Sequence, residues 1–425
     1  MEDFEKLAKH HLALCNDFVK QSEEMGLDVA AARALARQAA NCADAGQWHT
    51  ALKFAAQATA EAMSAQPRPD FPYSEPEPLE EIKASSPAGF SLSLPKPTKD
   101  IVFDRVHGGW LGKVIGGALG EPVEGWPRER IEQAHGEITG YLKKPPSTLN
   151  DDTAYEVLAI HALEEYGAGL TSGQLAWEWV EHLPDAYTAE KAALDNLRRG
   201  VVPPQSAILH NPYSEWIGGQ MKGEVWGLLA PGRPDVAAEY AYLDGIIAHR
   251  KNGVYGEMYN AAVVSAAFVE SDPRRLAEMG LAFVPTNCRF AEAVRRTMEW
   301  CSSTSDWRES WKKVEETYGQ QYNWVHTLPN IGAVLVGLLH GGGDFEKVIC
   351  ITTMCGLDTD CTAGQSGAIA GAICAASAIP ARWKDPIEDT MRTYVIGFEN
   401  VNLTDLAGRT VAQSKALLAH HGGKK

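Results

Sequence analysis

The sequence has no CxxC pair, no HExxH helix and no GxSxG elbow. The glycines around Gly112-Lys113 lack the spacing and the Ser or Thr of a phosphate loop. These gaps set aside zincin proteases, the nucleophile elbow of α/β-hydrolases and nucleotide hydrolysis on a phosphate loop. The eight cysteines show no paired framework, so they read as reduced, mostly buried thiols of a cytoplasmic protein. Basic residues are sparse: 39 Lys and Arg stand against 55 Asp and Glu, giving a net charge of −16. No basic run precedes the tail Lys424-Lys425, which argues against nucleic-acid binding, since that needs clustered cations to displace counterions. No apolar run spans a membrane. The nearest, Ala363 to Ala381, carries Gln365 and reads as a buried helix. The first residues, MEDFEKLAKHHLALC, lack the basic start and apolar block of a signal segment.

What the chain does have is 425 residues, 45% of them hydrophobic and 22% charged, enough for a sizeable core. Residues 1–65 read as an N-terminal helical extension. Within it, Cys42–Met63 places Ala45, Trp48, Ala51, Leu52, Phe54, Ala55 and Ala58 at helical spacing, faintly similar to one tetratricopeptide hairpin. One such unit cannot bury its own face, so the segment is expected to cap the main domain or mediate self-association. Five prolines between Pro67 and Pro78 make residues 66–100 an extended connector. From Ile101 to about residue 420 the helical period dominates and alternating strand patterns are nearly absent, which predicts an all-α domain. Gly108, Gly112, Gly116 and Gly120 form one small face along a helix, open to close approach by another. Further helices are expected over 257–270, 363–378 and 386–393, among others.

Two acidic clusters stand directly before helices. Asn150-Asp151-Asp152-Thr153 can be a helix cap, since Asn, Asp and Thr are favoured there. Asp358-Thr359-Asp360-Cys361-Thr362 can be a double cap, or can aim two carboxylates at one hard cation. Taken together, four converging carboxylates would repel one another without a divalent ion. An acidic protein that handles a phosphate-bearing ligand also needs local positive charge, from a cation or from helix-start N–H groups.

The segments DRVHGGWLGKVIGGALGEPVEG (104–125), LNDDTAYEVLAIHALEE (149–165) and GLDTDCTAGQSGAIAGAICAA (356–376), with NLTDLAGRTV (402–411), carry a resemblance to the ADP-ribosylglycohydrolases. These include the dinitrogenase-reductase-activating glycohydrolases and the ADP-ribosyl-acceptor hydrolases. The likeness runs from about Ile101 to Leu418. It implies a compact orthogonal multi-helix domain and hydrolysis of an N- or O-glycosidic bond to ribose. The substrate implied is an ADP-ribosylated protein or a small ribosylated compound. It also implies two Mg2+ ions, or Mn2+, held by Asn150, Asp151, Asp152, Asp358, Asp360 and Cys361, with Thr362 in reserve. Asn150 and Cys361 stand where the family has threonine, and Gly117 where it has aspartate. Glu124 matches a glutamate that gates the site; Glu124, Asp152 and Asp360 are the implied catalytic residues. Trp216–Met258 resembles one branch of the family that also carries an Asp-Cys pair. There His249, Asn252, Gly253, Tyr255 and Gly256 are expected at a helix-to-loop junction, walling the ligand pocket. His326 and Asn330 pose the same choice between pocket and core. Two other readings stay open: a smaller riboside as substrate, since Arg128, Arg130 and Arg250 are the only basic candidates near the motifs, or a non-catalytic binding or structural role.

Overall fold

A computed structural model of the chain describes residues 2–87, 89–145 and 151–422. It divides into two compact units, Met1–Tyr73 with His210–Ser214, and Ser74–Leu209 with Glu215–Lys425. The first unit consists of α1 (Glu2–Glu24), α2 (Ala30–Asp44) and α3 (Trp48–Ser64). Along α3, Ala51, Ala55, Ala58 and Ala62 form one buried stripe. Phe18 and Val19 of α1 and Ala32 and Ala39 of α2 complete that small core.

The second unit is all-α apart from one strand pair. It opens with α4 (Leu79–Ser85), α5 (Lys99–Gly120), α6 (Arg128–His135), α7 (Asp152–Tyr166), α8 (Ser172–His182) and α9 (Thr188–Arg198). Then come α10 (Glu224–Leu229), α11 (Pro234–Gly245), α12 (Lys251–Ala266), α13 (Pro273–Gly280), α14 (Arg289–Ser303) and α15 (Trp307–Val314). It closes with α16 (Thr327–Gly341), α17 (Phe345–Met354), α18 (Thr359–Cys374), α19 (Ala381–Lys384) and α20 (Leu403–Gly422). The antiparallel pair β1 (Thr390–Arg392) and β2 (Asn400–Asn402) joins α19 to α20. No helix is long and apolar enough to cross a membrane among the described residues. All eight cysteines are free.

The centre of the unit is the crossing of α5 and α18. A Cβ on Gly112 would sit 2.0 Å from the Gly367 carbonyl oxygen, and one on Gly116 would sit 1.9 Å from that of Ala363. At Gly120 it would meet the Thr359 oxygen at 2.1 Å. The i, i+4 glycine stripe therefore removes every side chain from one face, and the two backbones touch. From α18, Gly367 and Gly371 return the contact against Gly112 and Gly108.

Residues 66–100 differ from the extended connector expected. Pro78 leads into a helical turn with Glu80 and Glu81 at its start and Ile82 buried, so residues 79–85 are helical. Just before it, Glu75 is held by Arg289, whose Nε and Nη2 donate to its two oxygens at 2.8 and 2.7 Å. The Tyr255 hydroxyl donates to the Pro76 carbonyl, and Arg250 pairs with Glu77. The segment is a strap tied to α12 and α14. A second departure is at 386–393, expected as a helix. Glu388 and Asp389 have φ of 55° and 51°, which ends the helical path and leaves Thr390–Arg392 to pair as a strand. The helices expected at 257–270 and 363–378 begin earlier, at Lys251 and Thr359.

Arg289 also donates to both oxygens of buried Glu215, at 2.7 and 2.9 Å. Burial works against Glu215's charge, but Arg289 and then His326 hold its carboxyl well below the ordinary range. The stability from this pair is present above about pH 4 and is lost as pH falls through the depressed value. Glu215→Gln is therefore expected to cost about 3 kcal/mol at pH 7 and to reduce acid sensitivity, as read by urea unfolding across pH. Gly112→Ala is expected to cost about 3 kcal/mol or more in the same assay, because the obstacle is backbone and cannot rotate away.

Candidate functional site

Close packing of α5 on α18 fixes where the two helix ends meet. After α5, a short 3-10 turn (Glu121–Val123) delivers Glu124 beside the start of α18. The Gly125 N–H donates to the Leu357 carbonyl at 2.8 Å, and the Leu357 N–H returns to Trp126 at 3.0 Å. Gly356, at φ +80°, has the Trp126 oxygen within 2.4 Å of where a Cβ would be, so no side chain fits there. Thr359 Oγ1 donates to the Gly120 carbonyl at 2.8 Å. Asn330 finishes the clamp. Its Oδ1 accepts the Asp358 N–H at 3.3 Å, and its amide donates to Trp324 and His326 carbonyls at 2.8 and 2.9 Å. Asn330 thus supports the Asp358 turn, whereas His326 caps α16 by accepting the Leu328 N–H.

On this scaffold the acidic residues converge. One oxygen each from Glu124, Asp358 and Asp360 lie within 4.8 Å of one another. The same holds for Asp152, Asp360 and the sulfur of Cys361. Neither Asp151 nor Asp358 caps its helix through its side chain, so the capping explanation does not account for them. Asp152, Asp358 and Asp360 are 0%, 4% and 7% exposed, while Glu124 opens to the cavity. Burial pushes Asp358 up to about 7, with Asp152 and Glu124 adding repulsion. Asp360 is raised well above the carboxylate range by burial and then by Asp358, and Asp151 by burial and then by Asp152. Glu124 is also raised, by desolvation first and Asp152 next. Buried Asp358 Oδ1 has no hydrogen-bond partner among the described residues. An oxygen-only, mutually repelling donor set with an unpartnered buried oxygen fits a hard divalent cation.

Asp152 is the part already neutralised. Buried Lys113 donates to its Oδ2 at 3.1 Å, and the Cys361 thiol donates to its Oδ1 at 3.2 Å. Burial opposes the Lys113 charge, but Asp152, Glu224 and Glu156 keep the ammonium charged. Burial and the neighbouring aspartates raise the Cys361 thiol, and as a soft sulfur donor it suits a hard cation less well than the carboxylates do. Thr362 does not reach the cluster. Its hydroxyl turns back onto the Asp358 carbonyl at 2.8 Å, the i−4 bond open to a threonine inside a helix. Asn150 lies outside the described residues.

Beside the cluster opens a cavity of about 620 Å3, a size usual for small-molecule sites. Glu121, Glu124, Asp151, Asp358, Asp360 and Cys361 line its floor, and Tyr187, Trp216 and Trp324 give aromatic walls. Glu190 of α9 completes it and is pushed up to about 7 by burial. Glu190 sits in an ordinary helix start and Lys113 is hidden in the glycine stripe, so neither stands out in the sequence.

The residues expected to wall the pocket from 249 to 256 do not line this cavity. His249 stands behind Glu190, its Nε2 3.4 Å from Oε1, and burial followed by Lys222 lowers its pKa well below the ordinary value. Asn252 donates to Glu215 and Glu75 at 2.6 and 2.9 Å and accepts the Phe290 N–H at 2.9 Å. Tyr255 ties down the strap. Gly253 and Gly256 sit within α12, where Gly256 faces the Thr327 hydroxyl and Gly253 the backbone of Gly219. Buried polar residues on an apolar helix can serve a ligand or an internal partner, and here the partner is the strap. The basic candidates are likewise engaged elsewhere: Arg250 with Glu77, Arg128 with Glu132, and Arg130 stacked on Trp126.

The sequence profile described as ADP-ribosylglycohydrolase matches residues 98–416. An uncharacterized protein of Archaeoglobus fulgidus is 27% identical over 290 residues, covering 66% of this chain and 90% of that one. A solved structure titled "ADP-ribosylglycohydrolase-related protein complex" superposes with a TM-score of 0.52 at 20% identity, covering 75% of this chain and 99% of that one. At that identity the superposition shows a shared fold.

Carboxyls raised in the folded state destabilise it as they ionise. The metal-free chain should therefore lose stability as pH rises from about 4 to about 7, the value for Asp358. Asp360→Asn should flatten that slope, raise metal-free stability at pH 7 by about 1 kcal/mol and weaken Mg2+ binding by roughly tenfold or more. Thermal unfolding and calorimetric titration with Mg2+ read both effects.

Proposed function

The chain belongs to the ADP-ribosylglycohydrolase family, and on that premise we propose that it is a divalent-cation-dependent hydrolase of a glycosidic bond to ribose. Its substrate would be an ADP-ribosylated protein or an ADP-ribose derivative. The observation that carries this reading is the convergence of Glu124, Asp358 and Asp360 at the floor of one cavity, with no capping role for Asp358. Asp358, Asp360 and Glu124 would hold a cation of the Mg2+ or Mn2+ kind, with Asp151 beside them. Such an ion supplies Lewis acidity toward ribose hydroxyls and lowers the pKa of bound water. Lys113 occupies one side of Asp152 and the Cys361 thiol the other, so a first ion at the Glu124 side is favoured over a second at the Asp152 side.

The chain's own groups divide the remaining work. Glu124, partly desolvated and raised, can take the proton of the water that attacks the anomeric carbon. As the glycosidic bond breaks, the departing atom needs a proton, and Glu190, in the same cavity lining and near neutrality, would give it. Buried carboxylates below the ring favour the positive charge that develops there. Tyr187 and Trp324 are 63% and 40% exposed, open for stacking on a planar base. The described lining is acidic and aromatic, a composition that also supports a second reading, hydrolysis of a smaller riboside without a pyrophosphate.

A panel of arginine-linked, serine-linked and free ADP-ribose derivatives with simple ribosides, assayed with Mg2+, tests both readings. Turnover should stop with chelator and in Asp360→Asn. Glu124→Gln and Glu190→Gln should each lower kcat about 100-fold or more. Turnover that survives both chelator and Asp360→Asn contradicts the cation-dependent reading. Mg2+ binding without turnover of any substrate supports a binding role instead.

A further inference from the structure

A second cluster with metal-ligand character lies on the outside of the second unit, built from α7, α8 and the turn after β1. His161 Nε2 and His182 Nε2 stand 3.3 and 3.4 Å from the same oxygen, Oε2 of Glu178. The three ligand atoms lie within 4.8 Å of one another. We propose that His161, Glu178 and His182 form a metal site for a divalent transition ion of the zinc class, which pins α7 and α8 to the 396–398 turn.

Four features of the geometry point to this ligand. The first is spacing. Tetrahedral ligands at about 2.0–2.1 Å from zinc are about 3.3–3.4 Å apart along each edge, the separation found on both His–Glu edges. The second is tautomer. His182 Nδ1 lies 2.9 Å from the Ile396 carbonyl, which can only accept, so Nδ1 carries the proton. That leaves Nε2 as the ring atom turned toward Glu178 Oε2, 3.4 Å away. The third is support behind the ligands. The Tyr166 hydroxyl donates to Glu178 Oε1 at 2.9 Å and leaves Oε2 for the ion. The Ile396 N–H bonds the His182 carbonyl at 2.9 Å, and the Phe398 ring packs on both imidazoles.

The fourth is access. Glu178 is 4% exposed, but the His161 and His182 side chains are 19% and 17% exposed. A fourth ligand position therefore opens to water and an ion can enter. Two imidazoles with one carboxylate suit a borderline ion, whereas the oxygen-only cluster in the cavity suits a hard one. The two sites thus sort by ion.

The test uses the full chain, stripped with chelator and held in excess Mg2+, titrated calorimetrically with zinc. One tight zinc equivalent is expected, unaffected by Asp360→Asn. His182→Gln and Glu178→Gln should each abolish it, and Tyr166→Phe should weaken it about tenfold. Should one ligand variant fail to fold by circular dichroism, His161→Gln serves in its place. Cobalt added instead of zinc should show the visible d–d bands of a low-coordinate nitrogen–oxygen site, absent in the same variants. A chain that binds no zinc overturns the proposal. So does a tightest equivalent that survives His161→Gln and His182→Gln, or one that disappears in Asp360→Asn.

Discussion

Backbone contact between α5 and α18 is the constraint on which the rest of the second unit depends. Four glycines at i, i+4 spacing let the carbonyls of one helix reach the Cα positions of the other, with no side chain between them. Such a crossing admits almost no sliding, because each oxygen sits in a socket the size of a missing methyl group. The end of one helix and the start of the other are therefore held at one separation. Thr359 bonding to Gly120, and the reciprocal bonds of Gly125 and Trp126 with Leu357, extend the same register outward. Glu124 comes from one side of that joint and Asp358 and Asp360 from the other. Placement of a cation site thus follows from helix packing, with little left to loop conformation.

Electrostatics pulls the other way. The joint gathers carboxylates that burial alone would keep protonated, and each raises its neighbours further. Fixed cations offset part of this. Lys113 sits under Asp152, and Lys222 sits among Asp244, Glu257 and Glu190. What stays uncompensated is the face toward the cavity, where Asp358 Oδ1 lacks a partner among the described residues. A fold that stores repulsion at one spot and relieves it elsewhere makes that spot the candidate for a divalent ion. The strap at 74–78 settles its charges differently, since its Glu75 shares Arg289 with Glu215.

Several of these features were legible in the chain itself. Glycines at 108, 112, 116 and 120 have one economical use, a helix face without side chains, and α18 fills it. The Asp pairs were readable because adjacent acidic residues before two helices exceed what capping needs. Long-range partners were not readable. Nothing near Asn252 and Tyr255 in the sequence announces that Glu75 and Pro76, some 177 and 179 positions earlier, are bonded to them. Lys113 is masked by the glycine pattern around it, and Glu190 by a helix start in which glutamate is commonplace. Thr362 carries a plausible ligand oxygen, but its place within the helix turns that oxygen onto the backbone. Residues 386–393 have helical composition, yet two successive positive φ angles end the helix there.

Helix packing brings Glu124, Asp358 and Asp360 together as one candidate cation site. Anomalous diffraction from crystals grown with Mn2+ tests it most directly. A peak is expected at the cavity floor, bonded by oxygens of Asp358 and Asp360 with Glu124 as a direct or water-bridged partner. No peak there at saturating Mn2+, or an ion bound without either aspartate, would contradict it.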